Sequence, residues 1–427
     1  MNKVQRCSTP RSIRSSRRIT HLGRSVSFFS LLLLSTMLLG CVSSFPSLGS
    51  ASETTDANAA VLSTEDLLQQ SWQAYQQRFI QADGRVIDRE SNDRSTSEAQ
   101  AYALLRAVFM DDRQTFDRVL QWSENNLQRR NANGSRRDQL WSWKWGRNDQ
   151  GEWTTIDGNF ASDADVDAIT ALIFAARRWG DPAYLELAQT KLPDLWRLST
   201  VSIELETGEP IRYFLPGPLE AFQPQPDRLY LNPSYLAPYA FRLFAQVDPD
   251  RDWLSLVDSS YDVLTRSAEV SDIGLPSNWV ALNTETGEFQ PVPRTSPLQS
   301  IYSFDAYRVW WRIALDATWF EEPRAEQYLQ QHLQPLKSKW RSTRTIPAQI
   351  SLQGKPLVNY ESTAQYAMLY AAFRIVDPAI AEQIRQQKLV SSYENGFWDN
   401  DSAYYSQNLS WFGLFPSESI RSEWLLP

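Results

Sequence analysis

The chain has 427 residues, 42% of them apolar, with 17 tryptophans and a formal net charge of −8. Seven of its cations lie within the first 24 residues; without them 35 basic residues face 50 acidic ones, a balance near −15 that argues against nucleic acid as a partner, since phosphate binding needs clustered Lys and Arg. Past residue 41 there is one histidine, His332, and no cysteine, so a Ser-His-Asp triad or a His/Cys zinc site would need residues the chain hardly has; chemistry falls to carboxylates, tyrosine and arginine, with no metal or cofactor expected.

In chain order, residues 1–41 read as a targeting segment. Lys3, Arg6, Arg11, Arg14, Arg17, Arg18 and Arg24 precede an apolar run from Val26 to Leu39, which ends in Leu-Leu-Gly-Cys at Cys41. That ending resembles the lipobox of bacterial lipoproteins, with Cys41 as the lipidated residue; an uncleaved signal anchor is the alternative. Both predict a protein that is exported, periplasmic or on the cell surface, and bound to the membrane only through its N-terminus. Residues 42–61 are small and polar and read as a flexible tether. Residues 62–427 are expected to form one catalytic domain.

A helix is predicted over 63–80, with Leu67, Leu68, Trp72, Tyr75 and Phe79 as its apolar stripe. Helix-turn-helix punctuation then recurs at Asp112, Asp181-Pro182, Asp248-Pro249, Glu322-Pro323 and Asp377-Pro378. In each, an apolar run stops, the acid can cap the next helix, and proline, where present, can take its first position. Five hairpins, the helix before them and one near 402–415 make twelve helices. Closed on itself, such an all-α array is an (α/α)6 barrel, a toroid of six hairpins. Segments 140–146 and 152–158 look extended and are expected to lie as short strands or loops over one face. If the first helix of each hairpin is an inner one, the starts at Ser97-Glu98, Ser162-Asp163, Pro233-Ser234-Tyr235, Phe304-Asp305 and Glu361-Ser362 gather at one mouth. Glu98 and Asp305 then stand on opposite inner helices.

The stretch ASDADVDAIT, residues 161–170, sets aspartates at 163, 165 and 167. A calcium loop would need Gly at its sixth position and Glu at its twelfth, where Ala168 and Phe174 stand. Two readings remain for these acids. Ser95-Thr96-Ser97-Glu98 fits a capping box, and Asp163 and Asp305 stand where N-caps stand. Alternatively they are reaction-centre carboxylates. A helix start lowers a carboxyl pKa, so a general acid there needs burial or a neighbouring carboxylate to raise it, and Asp163 is the candidate neighbour.

SEAQAYALLRAV (97–108) resembles the S-E-G-Q-(G/S)-Y segment of family 8 glycoside hydrolases, and ASDADVDAITALIFAARRW (161–179) resembles that family's A-[ST]-D-[AG]-D signature. NPSYLAPYAFRLFA (232–245), GLPSNWV (274–280) and YSFDAYRVWWRIALD (302–316) follow in the family's order. Ala99 for the usual Gly, and Ala168-Ile169 for the usual aliphatic-then-Ala pair, are departures that bear on pocket shape.

The resemblance implies an (α/α)6 barrel that hydrolyses β-1,4-linked glycans with inversion. By motif, Glu98 is the general acid and Asp305 the base; Asp163 binds the sugar at the cleavage point and raises the pKa of Glu98. Asp165 and Asp167 are expected to be solvated or structural. Tyr302, Arg308 and Tyr235 are candidate substrate contacts, Arg308 equally an ordinary ion-pair partner. Trp141, Trp143, Trp145, Trp153 and Trp279 are candidates for sugar stacking, against core packing. The expected partner is a β-1,4-linked polysaccharide of cellulose type, with cell-surface glucan-synthesis machinery as a further one. A chitosanase or xylan-active enzyme, or an inactive glycan-binding lipoprotein, are the rival readings.

Overall fold

The computed structural model describes residues 63–205 and 208–426. The targeting segment, Cys41 and the tether lie outside the described residues. Among the described residues no helix is long and apolar enough to cross a membrane.

The chain runs α1 (Thr64–Phe79), β1 (Ser95–Thr96), α2 (Ser97–Phe109), α3 (Arg113–Asn126), β2 (Gln128–Arg130), β3 (Arg136–Trp141), β4 (Lys144–Arg147), β5 (Trp153–Asp157), α4 (Ser162–Trp179) and α5 (Pro182–Ser199). It continues through β6 (Thr200–Ile203), β7 (Ile211–Phe214), the single turn α6 (Leu219–Phe222), β8 (Arg228–Leu231), α7 (Pro238–Val247) and α8 (Trp253–Ala268). Then follow β9 (Val280–Asn283), β10 (Phe289–Gln290), α9 (Phe304–Phe320), α10 (Pro323–His332), α11 (Gln334–Thr343), α12 (Thr363–Val376), α13 (Pro378–Ile384), a small hairpin over 393–398 and α14 (Tyr404–Leu414).

Burial sorts the helices into two rings. In α4 every residue from Ser162 to Ala175 is buried, and in α2 every one from Ser97 to Val108 except Glu98, as expected of helices enclosed on all sides. Outer α3 buries only Thr115, Phe116, Val119, Trp122 and Ser123, a single stripe at helical spacing. The inner ring runs α2, α4, α7, α9, α12, α14 and closes from α14 back onto α2, with α1 packed outside α14. Among the described residues, twelve principal helices therefore form the (α/α)6 barrel expected from the turn punctuation. Gly413 lets α14 lie against α12, because a Cβ there would overlap the carbonyl of Ala367.

Every inner-to-outer connection is short, and each next helix begins at an acidic N-cap: Asp112, Asp181, Asp252, Glu322 and Asp377 accept backbone N–H groups of the turns they open. The third differs from expectation. Asp248 ends α7 and accepts from the Trp253 indole at 2.8 Å, so Pro249 falls in the loop and Asp252 is the cap.

The outer-to-inner connections are long and carry the described strands, which places them over the mouth formed by the inner helix starts. Segments 140–146 and 152–158 contribute to the antiparallel pair β4–β5, and β1 adds to β4 with Ser95 opposite Trp145. In the other three-stranded sheet β8 pairs with β9, Leu231 opposite Val280, which brings Asn232–Tyr235 beside Asn278-Trp279.

Candidate active site

Glu98, Asp163 and Asp305 are each the second residue of an inner helix, α2, α4 and α9. None serves as the cap that its position suggested. In α2 that task belongs to Thr96, whose hydroxyl accepts the amide of Ala99 at 3.1 Å, so the capping-box role expected of Glu98 is corrected. Asp163 Oδ1 accepts only the neighbouring amide of Ala164, at 2.9 Å.

The three carboxylates meet at one cation. Arg308 Nη1 donates to Glu98 Oε2 at 2.9 Å and to Asp163 Oδ2 at 2.7 Å, and Nη2 approaches Asp305 Oδ1 at 3.5 Å. The guanidinium is 1% exposed and also donates to the hydroxyls of Tyr102, at 3.3 Å, and Ser234, at 3.1 Å. Tyr235 lies against it, ring centroid 5.2 Å from Cζ. Openness grades across the group: the side chain of Asp163 is 2% exposed, Glu98 17% and Asp305 36%.

One positive charge facing three carboxyls leaves an excess of negative charge, which favours retention of a proton. Burial is the largest influence on Glu98 and raises its pKa; Arg308 opposes it, Asp163 adds to it, and the balance is about 7. Tyr404 donates to Glu98 Oε1 at 3.0 Å and tempers the rise. Burial also raises Asp305, against the pull of Arg308 and with the push of Asp163, while Asn232 and Trp279 beside the carboxyl draw it down. Glu98 and Asp305 stand on opposite members of the six-helix ring, yet contact one guanidinium. That keeps them within the roughly 9.5 Å upper limit for a carboxyl pair sharing one water and one glycosidic bond.

The spacing in ASDADVDAIT now has a physical account. Residues 163 and 167 share a helix face, as do 308 and 312, so α4 and α9 are joined by two rungs one turn apart. Asp163 meets Arg308, and Asp167 takes both Nη groups of Arg312 at 2.8 and 2.9 Å. Asp165 points the other way and accepts the backbone amide of Trp141 at 3.1 Å, pinning the end of β3. Both Asp165 and Asp167 are 1% exposed, so they are structural and not solvated. Burial pushes Asp165 up to about 8.

The aromatic expectations need correction at three places. Trp141 is fully buried, its indole donating to Glu124 at 2.9 Å. Trp145 is half-buried, stacked on Trp153 at 5.0 Å and met edge-on by Trp122 at 5.3 Å, and the space it borders is the cavity beside Trp153 and not the acids around Arg308. Tyr302 is 2% exposed and its hydroxyl accepts the Trp310 indole at 3.1 Å, beneath the site. Trp279 does reach the site, stacked on Phe222 at 5.5 Å and standing 6.3 Å from Tyr235. Trp143 is 37% exposed, and its carbonyl accepts the Ser97 amide at 2.9 Å, one residue from Glu98.

Tyr404 and Tyr102 join the site beyond the residues singled out in the sequence, and Ser234, named there only as part of a helix start, accepts from Arg308. Tyr102 was legible as the residue one turn beyond Glu98, and Tyr404 begins the sixth inner helix, where the rule of converging helix starts applies equally. A cavity of about 820 Å³ bounded by Asn125, Arg130, Arg137, Trp153, Thr155 and Asn159 contains none of the three convergent acids. Among the described residues no group of three or more His, Cys, Asp or Glu is arranged to hold a metal ion.

Comparison with known proteins bears on the family and the fold. The sequence model of glycosyl hydrolases family 8 matches residues 47–418. An endoglucanase of Xanthomonas axonopodis pv. citri (strain 306) is 37% identical over 249 residues, 58% of this chain and 60% of that protein. An endoglucanase of Escherichia coli (strain K12) is 26% identical over 349 residues, 80% of this chain and 85% of that protein. The crystal structure of endo-1,4-D-glucanase from Vibrio fischeri ES114 superposes with a TM-score of 0.66 at 26% identity, covering 81% of this chain and 93% of that one.

Proposed function

This chain belongs to glycosyl hydrolases family 8, a family of glycoside hydrolases, and we propose that it is an endo-β-1,4-glucanase cleaving internal bonds of a cellulose-type glucan with inversion. The observation that carries this is the trio of carboxyls around Arg308, in which burial raises the Glu98 pKa to about 7 and the more open Asp305 faces it from the opposite helix. Glu98 gives its proton to the glycosidic oxygen as the bond from that oxygen to the anomeric carbon breaks. Asp305 takes a proton from a water that attacks the same carbon from the other face, and the new hydroxyl there has inverted configuration. Asp163 lies on the floor of the site, where it supports the raised pKa of Glu98 and meets the sugar at the cleavage point. Trp143 and Trp279 offer flat apolar faces to neighbouring sugar rings.

The test is hydrolysis of carboxymethylcellulose, chitosan and xylan side by side, with the first product followed by proton NMR. The α-anomer appearing first, with carboxymethylcellulose hydrolysed fastest, is expected. A β-anomer appearing first removes inversion, faster cleavage of chitosan or xylan moves the substrate class, and tight oligosaccharide binding without turnover favours a glycan-binding protein.

The reading extends to location: an exported enzyme held at the membrane by a lipid on Cys41, close to where glucan leaves the cell. The motivation is the basic and apolar leader ending in Leu-Leu-Gly-Cys. Mass analysis of the membrane-bound parent protein is expected to find an N-terminus at a lipid-modified Cys41; an intact residue 1–41 leader on that protein would mean an uncleaved signal anchor.

A further inference from the structure

We propose that Asn278 caps α9 from outside the helix and so leaves the Asp305 carboxylate free to face the cleft, making Asn278 a positioning residue for hydrolysis. The inference rests on the reading of Asp305 as the base.

Helix α9 begins at Phe304 with Ser303 as its N-cap, and Ser303 makes no side-chain capping bond to the first turn. The missing acceptor comes from the loop before it. Asn278 Oδ1 accepts the amides of Ser303 at 3.2 Å and Ala306 at 3.0 Å, and Asn278 Nδ2 donates to the Ser303 hydroxyl at 3.0 Å. One side chain from 25 residues upstream thus does the work that a helix start normally draws from its own Ser, Asp or Asn.

The consequence falls on Asp305, which immediately precedes Ala306 and is itself of a favoured capping type. Without Asn278, its carboxylate is the acceptor at hand for the Ala306 amide, and an oxygen committed to that amide, as Asp163 Oδ1 is to Ala164, is no longer free to take a proton from water in the cleft. The loop holding Asn278 is anchored on both sides: the Asn278 amide donates to the Ile301 carbonyl at 2.8 Å, and Val280 pairs with Leu231 in the β8–β9 ladder. Trp279, between these anchors, lies beside the Asp305 carboxyl and is stacked on Phe222. The other polar groups around Asp305 are Arg308 on α9, Asp163 on α4, Glu98 on α2, Tyr405 on α14, and Asn232 and Tyr235 at the end of β8.

The experiment compares Asn278→Ala, Asn278→Asp and Asp305→Asn on carboxymethylcellulose, with kcat, KM and the pH profile measured for each and folding checked by circular dichroism. Asn278→Ala is expected to lower kcat by roughly tenfold to 10²-fold, the scale of a slight misplacement of a reacting group, with KM within about twofold of the parent. Its acid limb moves to lower pH, because a hydrogen bond to the ionised carboxyl favours ionisation. Asn278→Asp keeps the acceptor for both amides and recovers most of kcat, with the acid limb moved up by the added negative charge. A parent-like kcat in Asn278→Ala, or no recovery in Asn278→Asp, overturns the proposal. Should the alanine protein fail to fold, Asn278→Ser, whose hydroxyl is too short to serve both amides, takes its place in the same comparison. Asp305→Asn separates the two levels of the argument. If it is inactive while Asn278→Ala is unimpaired, only the external cap falls; if it keeps the parent rate, the base assignment and the cap fall together.

Discussion

Replacing Glu98 by Gln is expected to leave a folded protein and to lower hydrolysis of an unactivated β-1,4-glucan by roughly 10³–10⁴-fold, the upper part of the range for general acid catalysis. The amide keeps the size of the carboxyl and an oxygen for the Tyr404 hydroxyl, and Arg308 retains Asp163 and Asp305 as anionic partners. What disappears is the proton. The defect therefore depends on the leaving group: an aryl or fluoride substrate, which departs without protonation, regains much of the rate. The pH profile carries the same signature. With the Glu98 pKa at about 7, activity in the parent falls as pH rises through that value and the acid is ionised, while the raised pKa of Asp305 sets the acid limb. The amide of the Glu98→Gln protein has no proton to lose in this range, so the alkaline limb vanishes from its residual activity. A fully active Glu98→Gln enzyme, or a limb near pH 7 that survives the substitution, would refute the acid assignment.

Asp305→Asn is expected to produce a loss of similar size, roughly 10²–10⁴-fold in kcat, but with a different dependence on substrate. Removing the base leaves Glu98 able to protonate the departing oxygen, yet the attacking water keeps its proton, so an activated leaving group brings little recovery. Structural cost should be small, since the Asp305 side chain is 36% exposed and its contact with Arg308, at 3.5 Å, is the longest of the three ion pairs. Reducing-sugar release by the fragment beginning near Ala60 measures this directly, with thermal melts alongside. Activity above about a tenth of the parent's would place the base elsewhere, since even a weak general base contributes about 10²-fold.

The barrel and the mouth at which the three acids gather are largely legible in the sequence. Acid-proline pairs punctuating apolar runs depend on φ restriction and first-turn capping, which act over a few residues, so four of the five turns fall as expected. The third moved from Asp248 to Asp252 because both aspartates satisfy the same local rule, and the choice was settled by the Trp253 indole folding back on Asp248. Alternation of inner and outer helices then carried Glu98, Asp163 and Asp305 to one mouth from positions spread over more than 200 residues.

Other features depended on what lies across from a residue, which no local pattern encodes. Trp141, Trp145 and Tyr302 have the composition of sugar-binding residues, and packing against α3 and α9 buried or covered them. Asp165 and Asp167 sit in the same stretch as Asp163, yet a turn of about 100° per residue sends one toward β3 and the other to Arg312. The pKa of Glu98 follows from burial set by neighbouring helices, together with a cation 210 residues away. The amide of Ala306 in the first turn of α9 finds its acceptor in Asn278, on a loop that continues into the β8–β9 pairing. Periodicity and turn chemistry are short-ranged and survive in the bare chain, whereas exposure, ion-pair partners and the orientation of a carboxylate are long-ranged and exist only in the closed ring.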